Sequence, residues 1–150
     1  MRAQADRLVD LFLDEQSGIR RIGELRAVPG RGSERVLFSY DADWLREPDR
    51  FAIDQGLPVT AGVHAPARNA EMFPILGDSA PDSWGRNLMK RRERRKAERE
   101  GRAPRTLFET DFLMGVADIT RIGALRLKWS ETETFQAPGE AGVLVRGTVP

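Results

Sequence analysis

The sequence predicts an α+β fold: a small antiparallel β-meander, two main helices and a closing β-strand. Three observations predict it. The first forty residues carry apolar side chains in short runs separated by glycine-containing turns. Helical signals begin at Pro81-Asp82 and again at Thr106. Finally, Leu125, Leu127 and Trp129 alternate with Arg126 and Lys128, the cleanest strand pattern in the chain.

Taken in order, Leu8-Val-Asp-Leu-Phe-Leu13 is a β-capable run, and Gln16-Ser17-Gly18 is a turn. Ile19 to Arg26 returns with Ile22 and Leu25 as apolar anchors, and Pro29-Gly-Arg-Gly-Ser33 breaks the chain again. Val36, Phe38 and Tyr40 then alternate with Leu37 and Ser39, the period of a half-buried strand. Asp41-Ala-Asp-Trp44-Leu45 reads as a capped helical turn that returns Trp44 to the sheet. Phe51, Ile53, Leu57 and Val59 suggest an edge strand in which Pro58 limits pairing. From Pro81-Asp82, Trp84 and Leu88 share a helix face with Met89 beside it. Beyond Lys90 the helix is polar all round until Gly101 and Pro104 end it. Thr106-Leu-Phe-Glu109 is a capping-box pattern that leads into a short buried helix with Phe112, Leu113 and Val116. The chain thus divides into a β-rich stretch over 1–70, a helical segment plus strand over 71–130, and a loop-like tail over 131–150.

At 150 residues, 40% hydrophobic and 31% charged, the chain is globular in composition and long enough to bury a core. It has no cysteine, which excludes disulfides and thiolate metal sites and fits a cytoplasmic setting. No signal-peptide core or membrane-spanning run is present in the sequence. The net charge of +1 conceals an uneven distribution. Lys90 to Arg105 holds nine Lys or Arg against three Glu, a local +6, which leaves fifteen basic and twenty acidic groups, −5, elsewhere.

Catalytic patterns are sparse. The single histidine, His64, lies in a flexible-looking Gly62-Val-His-Ala-Pro66 segment with no triad-like Ser and Asp spacing, so a loop histidine outweighs a catalytic base. One His and scattered carboxylates give no metal-ligand spacing. Gly77-Asp78-Ser79 resembles a hydrolase nucleophile block, but no histidine follows it, and Asp78 and Ser79 read better as helix caps. Gly30-Arg-Gly32 lacks the rest of a dinucleotide fingerprint, and Gly139-Glu-Ala-Gly142 is too little for a phosphate loop. Lys90, Arg91, Arg92, Arg94, Arg95 and Lys96 are candidate nucleic-acid contacts through phosphates. Against that, Glu93 can pair with Lys96 and Arg94 with Glu98, and no aromatic is available for base stacking, which favours a solvated helix face. The three tryptophans sit among apolar neighbours, so core packing is the default for each.

The order of motifs resembles the N-terminal region of HipA-type kinase toxins. Gly23-Glu24-Leu25, Phe38-Ser-Tyr40 and Trp44-Leu45 resemble that family's opening, and Ile53 to Pro58 stands where an S-x-S-L-P-L-like segment belongs, in degraded form. Phe73 and the Pro81-Asp82-x-Trp84-Gly85-Arg86 run resemble its helix start without the usual Leu-Leu. Asp111-Phe-Leu-Met-Gly115-Val-x-Asp118 and Arg121-Ile-Gly123-Ala124-Leu125-Arg126 resemble D-(Y/F)-L-L-G-V-x-D and R-x-G-A-L-R. The resemblance implies the N-terminal module of a serine/threonine kinase that acts as the toxin of a toxin–antitoxin pair. Its partners would be a kinase core, in the same or a separate chain, and a helix-turn-helix antitoxin. Nucleic acid would be touched only through that antitoxin, or the module would act alone as an antitoxin-like partner. ATP and Mg²⁺ belong to the kinase core of such proteins, C-terminal to the G-A-L-R strand, so this chain is expected to hold neither. Within this reading, Asp82 caps the helix from which Trp84 and Arg86 face a neighbouring domain, and Asp118 with Arg121 orders the turn before Gly123.

Overall fold

The computed structural model describes residues 5–78, 80–115 and 125–130. Strand β1 (Arg7–Glu15) and strand β2 (Gly18–Pro29) form a hairpin around Gln16 and Ser17, with Gly18 at φ 130°, a conformation open to glycine because it has no Cβ. The Gly30 N–H donates to the Ser33 carbonyl at 2.9 Å and turns the chain into β3 (Glu34–Tyr40). Helix α1 (Ala42–Arg46) follows, capped by the Asp41 carboxylate, and buries Trp44 to 1% exposure. Strand β4 (Val63–His64), helices α2 (Pro74–Asp78), α3 (Ser83–Glu100) and α4 (Glu109–Met114), and strand β5 (Leu125–Trp129) complete the order. The five strands form one antiparallel sheet in the order β4-β3-β2-β1-β5. The closing strand therefore pairs with the opening one, with Leu127 opposite Leu11, and β1 becomes an interior strand. This is the predicted small α+β fold.

Alternation along the strands separates the two faces. Val9, Leu11 and Leu13 point into the core with Leu25, Phe38 and Leu127, and Leu57, Phe73, Leu76 and Leu113 cover them. On the opposite face Asp10 accepts hydrogen bonds from Arg21 at 2.8 Å and from the Ser130 hydroxyl at 3.0 Å, with the Lys128 ammonium 3.6 Å away. Arg126 reaches Asp14 at 2.8 Å on the same side. A lattice of ion pairs, rather than a second apolar layer, finishes that face.

A bulge sets the register. Leu11 faces Gly23 and Phe12 faces Arg21, so Ile22 is an extra residue in β2. Both Ile22 and Gly23 are consequently buried, and the Ile22 carbonyl accepts the Asp41 N–H at 2.7 Å as the chain enters α1. Gly23 has to be glycine. A Cβ there would lie 2.3 Å from the Ser39 carbonyl oxygen and 2.6 Å from the Phe38 ring.

Three expectations are corrected. Residues 51–59 form turns instead of an edge strand. The Asp54 carboxylate accepts from the Gly56 N–H at 2.9 Å, its carbonyl accepts from Leu57, and the Tyr40 hydroxyl donates to the Leu57 carbonyl at 2.5 Å while lying 3.3 Å from the Ile53 N–H. A tyrosine outside the segment supplies the partners a neighbouring strand would have supplied. The edge position goes to β4, so His64 lies in a strand and not in a flexible loop. Its Nε2 is 3.0 Å from the Thr60 carbonyl, and its ring meets Tyr40 edge-on at 5.9 Å. The capping-box position also moves: α4 starts after Phe108, and the Asp111 carboxylate accepts the Phe108 N–H at 2.8 Å. Phe108 has no side-chain oxygen to return the bond, so only half of a capping box exists.

Candidate functional site

Helix α3 holds most of the residues singled out by sequence. Pro81 is buried just before it, and the Asp82 carboxylate accepts the Gly85 N–H at 3.0 Å, satisfying one of the free donors of the first turn. Gly85 sits beneath Pro81, where a Cβ would come within 2.8 Å of the proline Cβ. Arg86 donates to the Pro81 carbonyl at 3.0 Å and grips both oxygens of Glu109 at 2.7 and 3.0 Å, with its guanidinium 4.6 Å from the centre of the Phe112 ring. This bidentate pair ties α3 to α4. Pro81, Asp82, Gly85 and Arg86 are thus all occupied inside the molecule.

Trp84 is the exception. It is 65% exposed, whereas Trp44 is fully buried and Trp129 packs partly buried against the core. Core packing therefore holds for Trp44 and fails for Trp84. The residues around Trp84 fix the first turn of α3, and that turn carries an indole outwards. Arg86, read from sequence as facing a neighbouring domain, faces α4 instead.

The basic stretch occupies the rest of α3. Lys90, Arg91, Arg92, Arg94, Arg95 and Lys96 are all exposed, and the Lys90 ammonium lies 5.9 Å from the Phe112 ring centre. The inner row of the helix is Gly85, Met89, Glu93 and Ala97, spaced by four residues. At its end Gly101 adopts φ 67°, and its N–H and that of Arg102 return to the Glu98 and Ala97 carbonyls. The chain then runs back along the helix. Arg102 donates to Glu93 at 2.6 Å and to Glu100 at 2.8 Å, and the Arg105 N–H donates to Glu93 at 2.7 Å. These bonds hold the Glu93 carboxyl down at about 2. The expected Glu93–Lys96 and Arg94–Glu98 pairs are not among the ion pairs of the described residues; in the first case the returning segment takes Glu93 instead.

Asp111, the first aspartate of the D-F-L-M-G block, is the other anchor. It is 7% exposed and receives Arg7 at 2.8 and 3.4 Å, Arg105 at 3.2 Å and the Phe108 N–H. Burial alone would raise its pKa, but the hydrogen bonds from Arg7 and Phe108 and the positive charge of Arg7 and Arg105 hold it below the usual range. Arg7 also bonds Glu34 at 2.7 Å and lies 5.2 Å from the Trp129 ring centre, so one guanidinium joins β1, β3, α4 and β5. Sequence reading passed over Arg7, which stands in a polar leader with no motif. Asp111 was legible only as a letter of the D-F-L-M-G block. Asp118 and Arg121 lie outside the described residues.

Among the described residues no group of three His, Cys, Asp or Glu side chains is placed to hold a metal ion, and no helix is long and apolar enough to cross a membrane. What the geometry provides is a rigidly anchored helix with an outward indole and a cationic flank, which suits recognition of another surface.

Neither a curated protein nor a solved structure matches the chain significantly. A family model does: residues 14–107, from the end of β1 to the segment before α4, match the HipA N-terminal domain. That span takes in the β2–β3 hairpin, the Tyr40-clamped turns and the whole of α3, so the chain belongs to the HipA N-terminal domain family.

Proposed function

We propose that this chain is the docking and regulatory module of a HipA-type serine/threonine kinase toxin in a toxin–antitoxin system, and that Trp84 is its anchor on the kinase core. The observation that carries the reading is the exposure of Trp84 within a run whose other fixed residues are all engaged internally. An indole held outward on a capped, clamped helix offers a large contact area with little rotamer entropy to lose. The kinase core supplies the ATP and Mg²⁺ site, and a helix-turn-helix antitoxin is a second partner of the assembly, through which nucleic acid is reached. The setting is cytoplasmic.

Light scattering of the purified chain mixed with its cognate kinase core tests this. A stoichiometric complex is expected. Trp84→Ala should weaken it by about 2 kcal/mol, roughly thirtyfold, as for a buried aromatic anchor. The melting temperature of that variant should stay close to wild type, since Trp84 contributes little to the core. Absence of a complex at micromolar concentrations would count decisively against the reading.

A second reading, direct nucleic-acid binding by α3, is favoured by the exposure of Arg91, Arg94 and Arg95. It requires binding that falls steeply with salt. No binding to duplex or single-stranded DNA at low salt eliminates it.

A further inference from the structure

A cavity of about 110 Å³ lies where the turn into β3 meets the start of α4. Glu34, Glu71 and Glu109 border it, beside Val36, Phe108 and the Gly32-Ser33 turn. The three acids differ in what they already hold. Arg86 grips both oxygens of Glu109. Glu71 is exposed and acts on Arg86 through its charge, without an ion pair of its own among the described residues. Glu34 decides the matter. Its side chain is 6% exposed, and its Oε2 accepts from Arg7 at 2.7 Å. Its Oε1 is buried and has no hydrogen-bond partner among the described residues. Arg7 borders a second, larger cavity that Glu34 also lines, but not this one. With Oε2 turned to Arg7, Oε1 is the oxygen left to face the smaller cavity.

A buried carboxylate oxygen with nothing to accept costs free energy. The charges point the same way. Glu34, Glu71, Glu109 and Asp111 share the guanidiniums of Arg7, Arg86 and Arg105, which leaves one negative charge over in this network. Water alone would fill the cavity without supplying the missing charge.

From this geometry we infer that the cavity receives an arginine side chain presented by a partner polypeptide. Its guanidinium brings a positive charge and a donor for Glu34 Oε1, and Val36 and Phe108 offer apolar contact to its methylene stem. The planar fork keeps further donors for the neighbouring carboxylates, which a lysine ammonium presents less favourably. Trp84 does not line the cavity, so this site stands or falls separately from docking of Trp84 on a kinase core.

The test is a two-dimensional ¹H–¹⁵N NMR titration of the full chain with a capped alanine peptide that carries one central arginine. Saturable shifts are expected at the amides of Gly32, Ser33, Glu34 and Glu109, weakened by added salt. The same peptide with citrulline, which keeps the shape and loses the charge, should bind at least tenfold weaker. Glu34→Gln should also lose at least tenfold. Because that change loosens Arg7 as well, Glu71→Gln serves as the second variant: it should weaken binding severalfold while its melting temperature stays that of the wild type. Equal affinity for the arginine and citrulline peptides overturns the proposal. So does an unchanged affinity in both variants. Shifts that tetramethylammonium chloride reproduces overturn it too, since only diffuse charge would then be at work. No saturable shift at about 10 mM peptide, tenfold above a millimolar Kd, overturns it in favour of a cavity that holds water alone.

Discussion

Gly23 and Asp111 make opposite demands on their surroundings, and each demand is measurable. At Gly23 the bulge brings the backbone of β3 so close that there is no room for a methyl group. Both nearest groups are inside the sheet, a carbonyl oxygen and a buried ring, and neither can swing away. Gly23→Ala should lower stability by about 1–3 kcal/mol, the usual cost of forcing a methyl into a packed core, read as a drop in the midpoint of urea denaturation. Asp111 is instead the acceptor on which two arginines and one backbone N–H converge. Asp111→Ala removes the acceptor shared by Arg7, which keeps Glu34, and the half-exposed Arg105, and leaves the Phe108 N–H unpaired; it should cost about 1–3 kcal/mol, the usual penalty for leaving such donors unsatisfied. A variant that melts within a degree of wild type would show that the cluster contributes nothing to folding. Neither residue announced itself fully in the sequence. Gly23 stood in a quoted motif, but the bulge that makes it necessary depends on pairing across two strands. Asp111 has its main partner 104 positions away, which no local pattern can reveal.

Helix α3 shows what local pattern does reveal. Pro81, Asp82 and Gly101 bracket the helix as their residue types predict, and the capping geometry bears them out. Its polar second half, uninformative by periodicity, is held by a feature invisible to periodicity: the chain folding back so that Arg102 and Arg105 meet Glu93. The same failure of local reading occurs at 51–59, where alternating apolar residues imitate a strand but Tyr40 and Asp54 hold turns. The fold-back gives a pH dependence with a definite sign. The Glu93 carboxyl lies at about 2 in the folded chain against an ordinary 4.5. Its stabilising effect is therefore complete above about pH 4.5 and is lost as the pH falls through about 2. Glu93→Gln should melt lower than wild type at neutral pH, and the difference should shrink below about pH 4.5 until little of it is left at about pH 2. A difference that persists unchanged at pH 2 would show that the carboxylate is not the source.

On the scale of the whole molecule, the fold closes by pairing its last described strand with its first, and Arg7 locks that closure to α4 and β3. The α+β class and most elements were legible because β1, β2, β3 and β5 carry strand-like apolar runs and α1 and α3 carry their own caps. The order of the sheet was not, since it depends on which edge β5 joins. The family match spans the sheet's centre and α3, so the surface that bears Trp84 lies within the family's own domain. The central claim is that this surface meets the kinase core, and Trp84 itself can report it. A tryptophan that is 65% exposed emits from a wet environment, and burial against a partner should move its emission to shorter wavelength. Titrating the chain with its kinase core should give a saturable blue shift that Trp84→Phe abolishes. An identical shift in both proteins, or none in either while a complex forms, would contradict the account.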